Sequence, residues 1–448
     1  MMKKTFLALL LLLTLSTSCW AQEAEKKNQL TFGVNFMAHG EACGGGLPKD
    51  EDSKTQSSNK KSYFLLSRLR LNVDYQRQQF LQAHAVIQNK NVWGTNNSQA
   101  LNLYEGWVRL STKFGLFAKV GRIALSYDDE RIIGLNDFAM AALSHDVLLA
   151  GYEGYGHKAH VILGYNQNGS NVYKSTYYDS SVGSQAYKTM QTVWYHYDVP
   201  KFPLGVSLLF MNFGLQAGKE DNRNNPPHMV CQQTYGGYIN FHPKFMTLEG
   251  SYYRQSGKNV SRDMEDYDIQ AWMASAKATV NLPLNFGVEV GYDYLSGDDY
   301  VPVVKKGTLG LVRHALPKGF CPLYGSRTKF YGILDFFYES AYINGFTPGL
   351  QNAFAGVKGS FFSKLDVGVT YHYLATATKL EKLSRTLGHS IDITAQYQFM
   401  KDVKLVAGYT HMIGTETMAR LKQEDSSEQA RWGWFSLVVS PSIFTAKW

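Results

Sequence analysis

The chain has 448 residues, 14% aromatics, 40 Gly against only 12 Pro, and a formal net charge of +8. Its mean hydropathy is slightly negative, which excludes a bundle of membrane-spanning helices, whereas abundant aromatics and glycines with little proline suit long strands joined by tight turns. The positive excess is mild: it suits a lumen or loops that favour anions, and solvated surface lysines equally well, and no nucleic-acid partner is expected.

The chain opens with Met1-Met2-Lys3-Lys4, continues through the apolar stretch Phe6 to Leu15, and turns small and polar from Ser16 to Ala21-Gln22. This is the pattern of a secretory signal peptide, with cleavage expected after Ala21 and the small Cys19 two residues before it. The apolar stretch falls short of the roughly 20 residues of a spanning helix. A lipid anchor on Cys19 is the competing reading, disfavoured because Ser16 rather than Leu stands three residues earlier. Loss of Lys3 and Lys4 leaves the remainder, residues 22–448, at +6. That remainder reads as one domain, an all-β transmembrane antiparallel barrel of the bacterial outer membrane.

Strand patterning carries the fold. From Arg68 one parity reads Arg68, Arg70, Asn72, Asp74, Gln76 and the other Leu69, Leu71, Val73, Tyr75, as expected when successive side chains point to lumen and to lipid. Further on, Trp272, Ala274, Ala276, Ala278 and Val280 oppose Ser275, Lys277 and Thr279, and a turn at Asn281-Leu282-Pro283-Leu284 leads to Phe286, Val288, Val290 and Tyr292. The same alternation recurs from Leu365 to Tyr373 and from Ile391 to Phe399. Short turns, expected to be periplasmic, fall near 77–79, 113–114, 200–203, 243–244, 281–284, 360–363 and 400–403. Longer polar segments, expected to be extracellular loops, fall near 38–61, 124–145, 166–184, 214–228, 257–266, 296–349, 376–387 and 414–431.

Candidate strands number about 19, yet a chain with both ends on the periplasmic side needs an even number. Demoting Lys329–Tyr338, so that Ser296–Gly349 becomes one long extracellular or inward-folded excursion, restores about 18 strands. The last strand runs from Trp432 and the chain closes on the aromatic Trp448, the feature through which the barrel-assembly machinery is expected to engage it.

Charges on the inward parity include Arg68, Arg70, Arg109, Lys158, Lys277 and Lys358, among Asp74, Glu105 and Glu249. Such a wall replaces part of an anion's hydration, or simply pairs charges across strands. Arg122, Asp128, Asp129 and Arg131 cluster where the fifth strand gives way to a loop long enough to fold inward, as a constriction or as an ion-pair network that pins the loop. Arg122 shares the outward parity of Ala118 and Val120, which implies a bulge or an early strand end. Ser144, His145 and Asp146 do not make a triad, because neighbours on a strand point apart. His157 and His160 face opposite sides, so neither a metal nor another cofactor is expected. Three cysteines beyond the signal, Cys43, Cys231 and Cys321, leave at least one thiol unpaired, with a bridge such as Cys43 to Cys321 left open. Gly44-Gly45-Gly46 has no helix after it and is no phosphate cradle.

Three blocks resemble the motifs of alginate-export-like outer-membrane barrels. The first is Gly121-Arg122, then Tyr127 to Gly134 and Ser144-His145-Asp146. The second is Tyr292-Asp293-Tyr294-Leu295-Ser296-Gly297-Asp298-Asp299 with Phe320 to Gly325 and Lys329 to Gly332. The third is Leu387-Gly388 with Ile391-Asp392 and Gly408-Tyr409. Leu143 stands where that family has a basic residue and Ser390 where it has an acidic one. The resemblance, over residues 60–448, implies an 18-stranded monomeric porin that passes acidic oligosaccharides, polysaccharides or smaller anions passively, without catalysis. The alternative is a surface-exposed binding or assembly scaffold with an occluded barrel.

Overall fold

The structure, a computed structural model, describes residues 28–448 apart from 46–60, 96–100, 139, 141, 170–171, 182–184, 221, 262–263, 299–300, 306–307, 313–317, 335–336, 338–346, 381–382 and 423–428. The expected signal peptide, with Cys19, lies outside the described residues.

The strands are β1 (Asn28–Gly44), β2 (Ser62–Arg77), β3 (Leu81–Val92), β4 (Asn102–Ser111), β5 (Leu116–Ile123), β6 (His145–Gly154), β7 (His157–Tyr165), β8 (Thr189–Asp198), β9 (Leu204–Ala217), β10 (His228–Phe241) and β11 (Met246–Val260). They continue as β12 (Asp266–Asp268), β13 (Ala271–Leu282), β14 (Phe286–Leu295), β15 (Val301–Lys305), β16 (Thr308–Val312), β17 (Leu350–Phe361), β18 (Leu365–Ala375), β19 (Thr386–Met400), β20 (Val403–Gly414), β21 (Ala430–Val439) and β22 (Ser442–Lys447). One short helix, α1 (Glu416–Lys422), lies between β20 and β21.

Twenty strands form one sheet, and β15 pairs only with β16. Because β12 and β13 pair with β11 in one register, and β21 and β22 both pair with β1, each couple is a single interrupted strand and the barrel has 18. Every pairing in it is antiparallel, and β1 joins β2 on one side and β21–β22 on the other, so no edge is left open. At this seam Asn28 and Trp448 exchange backbone hydrogen bonds of 2.9 and 3.1 Å. The last strand breaks at Pro441, which has no N–H to give; its carbonyl instead accepts from the Val34 N–H at 3.0 Å where the β1 register shifts.

The expected alternation sets the two faces. Leu69 and Leu71 are exposed on the outside of β2 while Arg68 and Arg70 are buried within. Along β9, Leu208 is 60% exposed outward and Ser207, Leu209 and Met211 are buried inward. All seven expected short turns join consecutive strands, and an eighth lies at Tyr155-Gly156. Leu284-Asn285 and Phe362-Ser363 both take φ between 52 and 64°, the left-handed pairs that match hairpin twist without an Asn-Gly signature.

Four expectations need adjusting. The first outer segment starts later than residue 38, because β1 runs to Gly44. The segment 257–266 is partly strand, because β11 and β12 carry the hairpin past the barrel rim. The segment 414–431 holds α1. Of the two alternatives for Arg122, the early strand end holds and the bulge does not: β4 and β5 pair in unbroken register up to Arg122, β5 stops at Ile123, and the irregularity falls one strand away, between Val86 and Ile87. The demotion of Lys329–Tyr338 agrees with the structure, where Arg327–Lys329 is a single helical turn and Tyr331 and Phe337 are buried. The Ser296–Gly349 excursion is pinched at its base by Asp298, whose carboxylate accepts from the N–H groups of Lys318, Gly319 and Thr347 at 2.8 to 3.0 Å.

Candidate functional site

Toward the long loops the inward face carries an apolar set, Val147, Leu149, Ile162, Met190, Met211, Phe213, Met273, Leu295, Leu374 and Met412, among buried polar residues such as Gln255, Asp293 and Thr410. They bury Leu125, Ile132, Ile133, Phe320, Tyr331, Phe337, Leu380, Met418 and Leu421, supplied by loops and by α1 folded into the barrel. Apolar side chains can face a lumen only if something covers them, and here the loops do. Toward the short turns the inward parity is mostly polar.

Loop 124–144 and the returning arm of the 296–349 excursion form one inward body. Tyr324 donates its backbone N–H to the Ile132 carbonyl at 3.1 Å, and Gly134 donates to the Tyr324 carbonyl at 2.8 Å. Arg131 clamps this body to the wall. Its guanidinium lies 3.0 Å from Asp129, 3.0 Å from Asp293 of β14, donates to the Tyr331 hydroxyl at 3.1 Å and covers the Phe330 ring at 4.0 Å. Burial alone would depress the Arg131 pKa, but Asp293, Tyr331 and Asp129 outweigh it and hold it well above its ordinary value. Glu130 accepts from Ser126 at 2.7 Å and Ser326 at 2.9 Å; burial opposes its ionisation, yet these bonds and Lys329 hold the carboxyl below its usual range.

Asp128 has φ 54° and points its carboxylate at Trp194, whose ring N–H donates at 3.1 and 3.2 Å, and at the Tyr253 hydroxyl at 3.4 Å. With no cation among these partners, burial pushes its pKa up, against the hydrogen bonds from Ser207 and Trp194.

Arg131, Asp128 and Asp129 are thus brought together, and with Lys277 they border a cavity of about 470 Å³ beneath the loops. Its wall holds six carboxylates (Asp128, Asp129, Glu249, Glu289, Asp293, Asp392) against three side chains of fixed positive charge, Arg131, Lys277 and Lys329, so the pocket is net negative. Lys277 ion-pairs with Glu249 across β11 and β13. Lys358 lies elsewhere, on a second cavity of about 580 Å³ nearer the short turns, with Asp366, Gln396 and Trp434.

The basic side of the lumen is β2 to β5. Arg68 and Arg70 reach Asp137 of the inward loop at 3.1 and 2.7 Å. Arg109 pairs with Glu153 at 3.0 Å and covers the Phe117 ring at 3.9 Å. Lys119, which shares Phe117's inward parity and was passed over in the sequence, sits 3.7 Å over Trp107 with no ion pair among the described residues. Arg122 is apart from all of these: it stays on the outward parity and makes a two-bond pair with Asp146 at 2.6 and 2.8 Å, neutralised on the barrel's exterior near the rim.

His145 turns inward to the Tyr187 hydroxyl at 2.8 Å while its neighbour Asp146 turns out, so the Ser144-His145-Asp146 triplet does not converge. His160 faces in, 3.0 Å from the Tyr127 hydroxyl and 3.2 Å from Glu153; His157 faces out, to Tyr195. Among the described residues no cluster of His, Cys, Asp or Glu has the arrangement of a metal site. Cys43, Cys231 and Cys321 are free thiols.

A closed sheet of 18 strands with an apolar exterior and a charged interior narrowed by its own loops defines a membrane-spanning β-barrel. No family model and no curated protein matches the chain. Among solved structures it is similar to Pseudomonas aeruginosa OpdL, with a TM-score of 0.61 at 10% identity over 93% of this chain and 99% of that one. Acinetobacter baumannii OccAB1 is similar at 0.59 and 11% over 93% and 97%, and Pseudomonas aeruginosa OccK11 (OpdR) at 0.57 and 12% over 93% and 96%. At such identities the likeness is one of fold, and it runs to Opd and Occ barrels rather than specifically to alginate-export ones.

Proposed function

We propose that the protein is a passive channel of the bacterial outer membrane, in contact with lipid around its apolar band, and that its preferred solutes are anionic, with acidic oligosaccharides of the alginate type as one candidate. The observation that carries this reading is the lane of basic side chains on the β2 to β5 wall, Arg68, Arg70, Arg109 and Lys119, inside a barrel whose exterior is apolar. A carboxylate moving along that wall exchanges water for guanidinium and ammonium donors already held in place by rings and carboxylates. The net-negative cavity opposite repels the same solute, which confines it to the basic side.

One observation favours a second reading, an occluded barrel that serves as a binding or assembly scaffold: the apolar core of inward loops fills the half of the interior nearest the long loops. Planar-bilayer recording of the purified, refolded protein separates the two. Steady current whose reversal potential in a salt gradient follows the anion, reduced by added uronate oligomers, supports the anion channel. Silence from correctly folded protein leaves the scaffold; current that follows the cation keeps the channel and overturns its anion preference.

A further inference from the structure

Within loop 124–144 a smaller finger is tied off at its base, where the Leu143 N–H donates to the Leu135 carbonyl at 2.9 Å. Two of its non-glycine residues near that base take the left-handed region, Asn136 at φ 48° and Ala142 at φ 52°. The base rests on the inward body: Asn136 donates its N–H to Ser326 Oγ at 3.1 Å and accepts from the Arg327 N–H at 3.3 Å. Beyond it, Asp137 and Phe138 reach across to the closing seam of the barrel. There the Asp137 carboxylate bridges Arg68 and Arg70, and the Phe138 ring enters a cage of three rings, with centroids 5.4 Å from His39 on β1 and 5.8 and 4.8 Å from Trp432 and Trp434 on β21.

The receptor is more deeply built than its occupant. Arg68 and Arg70 side chains are 2% and 10% exposed whereas Asp137 is 51% exposed. Two guanidiniums face one carboxylate, and Arg68 Nε and Arg70 Nη2 are buried without a partner. The cage is braced independently of Phe138, because His39 is held by Ser436 at 2.6 Å and Trp432 by Glu41 at 2.8 Å. A preformed pocket filled by a half-exposed Asp137 and its neighbour Phe138, on a finger whose base is anchored elsewhere, is the geometry of a part that detaches without unfolding its support.

We propose that Asp137 and Phe138 are a latch that closes the basic lane of the β2 to β5 wall at its Arg68 and Arg70 end, and that its release widens the conducting path. The proposal rests on the channel reading and adds its regulation. The test pairs two readouts on the full-length barrel, folding being checked by heat-modifiable gel mobility: hydrogen exchange of residues 132–138 in micelles, and mean current in planar bilayers. Wild type is compared with Asp137→Asn, with the charge-neutral Phe138→Ala, and with Asp146→Asn on the outer wall as control. Both latch variants are expected to exchange faster by about tenfold and to carry about twofold or more current, with the control unchanged. Unchanged exchange overturns the latch whatever the current does. Faster exchange at unchanged current overturns the gating role. Faster exchange with wild type and every variant silent overturns the channel reading itself, and the gate with it.

Discussion

The guanidinium of Arg131 lies 3.0 Å from the carboxylate of Asp293, joining an inward-folded loop to the barrel wall with both side chains almost fully buried. A charge pair removed this far from water holds only while both members are present, since either one alone is left desolvated.

Substitution Arg131→Met therefore strands Asp129 and Asp293 and is expected to weaken docking of the inward body by about 3–5 kcal/mol. Hydrogen exchange at the Tyr324 and Gly134 amides, which bridge the two loop segments, reads the loss. Adding Asp129→Asn and Asp293→Asn should recover part of it; no recovery would mean that the Phe330 and Tyr331 ring contacts, not the charges, hold the loop.

The raised pKa of Asp128 carries a pH dependence. The docked state binds its proton more tightly than the free loop does, so the docking stability it contributes is fully present below the ordinary carboxylate range and is lost as pH rises through the raised value. Protection of loop 124–138 should be greater at about pH 4 than at about pH 7, and Asp128→Asn should flatten that dependence. The opposite slope would show that the lowered pKa of Glu130 in the same loop, or the Trp194 and Ser207 hydrogen bonds to ionised Asp128, outweighs burial of Asp128.

How far the sequence reveals this architecture depends on what surrounds each strand. Lipid strongly favours apolar side chains on one parity, so the order of residues alone, Leu69 and Leu71 against Arg68 and Arg70, marks both faces of β2. The inward loops impose no such rule on the sequence. Their signal is the failure of alternation: along β9, Leu208, Leu209, Phe210 and Met211 are apolar on both parities because one face meets lipid and the other meets buried loop. Read with Leu125, Ile132 and Ile133, which flank the charged stretch Asp128 to Arg131 in loop 124–144, that run identifies the covered part of the interior. Lys119 was legible too, by its parity with Phe117. The placement of Arg131 was not, because its partners Asp293 and Tyr331 lie far along the chain and meet it only through the fold of two loops.

Lys119 offers a test of the basic wall that leaves the inward body untouched. Charge reversal, Lys119→Glu, should shift the reversal potential in a salt gradient toward cations, whereas Lys119→Arg should hold it near the wild-type value. If the reversal potential does not respond, the conducting path runs elsewhere.

On the outside, Leu208→Arg places a charge in the apolar band and is expected to destabilise the barrel by about 2–4 kcal/mol in bilayers. Thr394→Arg, lining both interior cavities, should cost far less. Denaturant unfolding in lipid vesicles compares them, and equal costs would contradict the assignment of faces.

Asn28 and Trp448 hydrogen-bond each other at the seam, so the strand that is written first and the strand that is written last are ordinary neighbours in space. A short peptide tied between them, with the chain reopened in one of the long loops, would describe the same cylinder starting from a different stave. Such a rearranged gene isolates the geometry of closure, which is indifferent to where the reading begins.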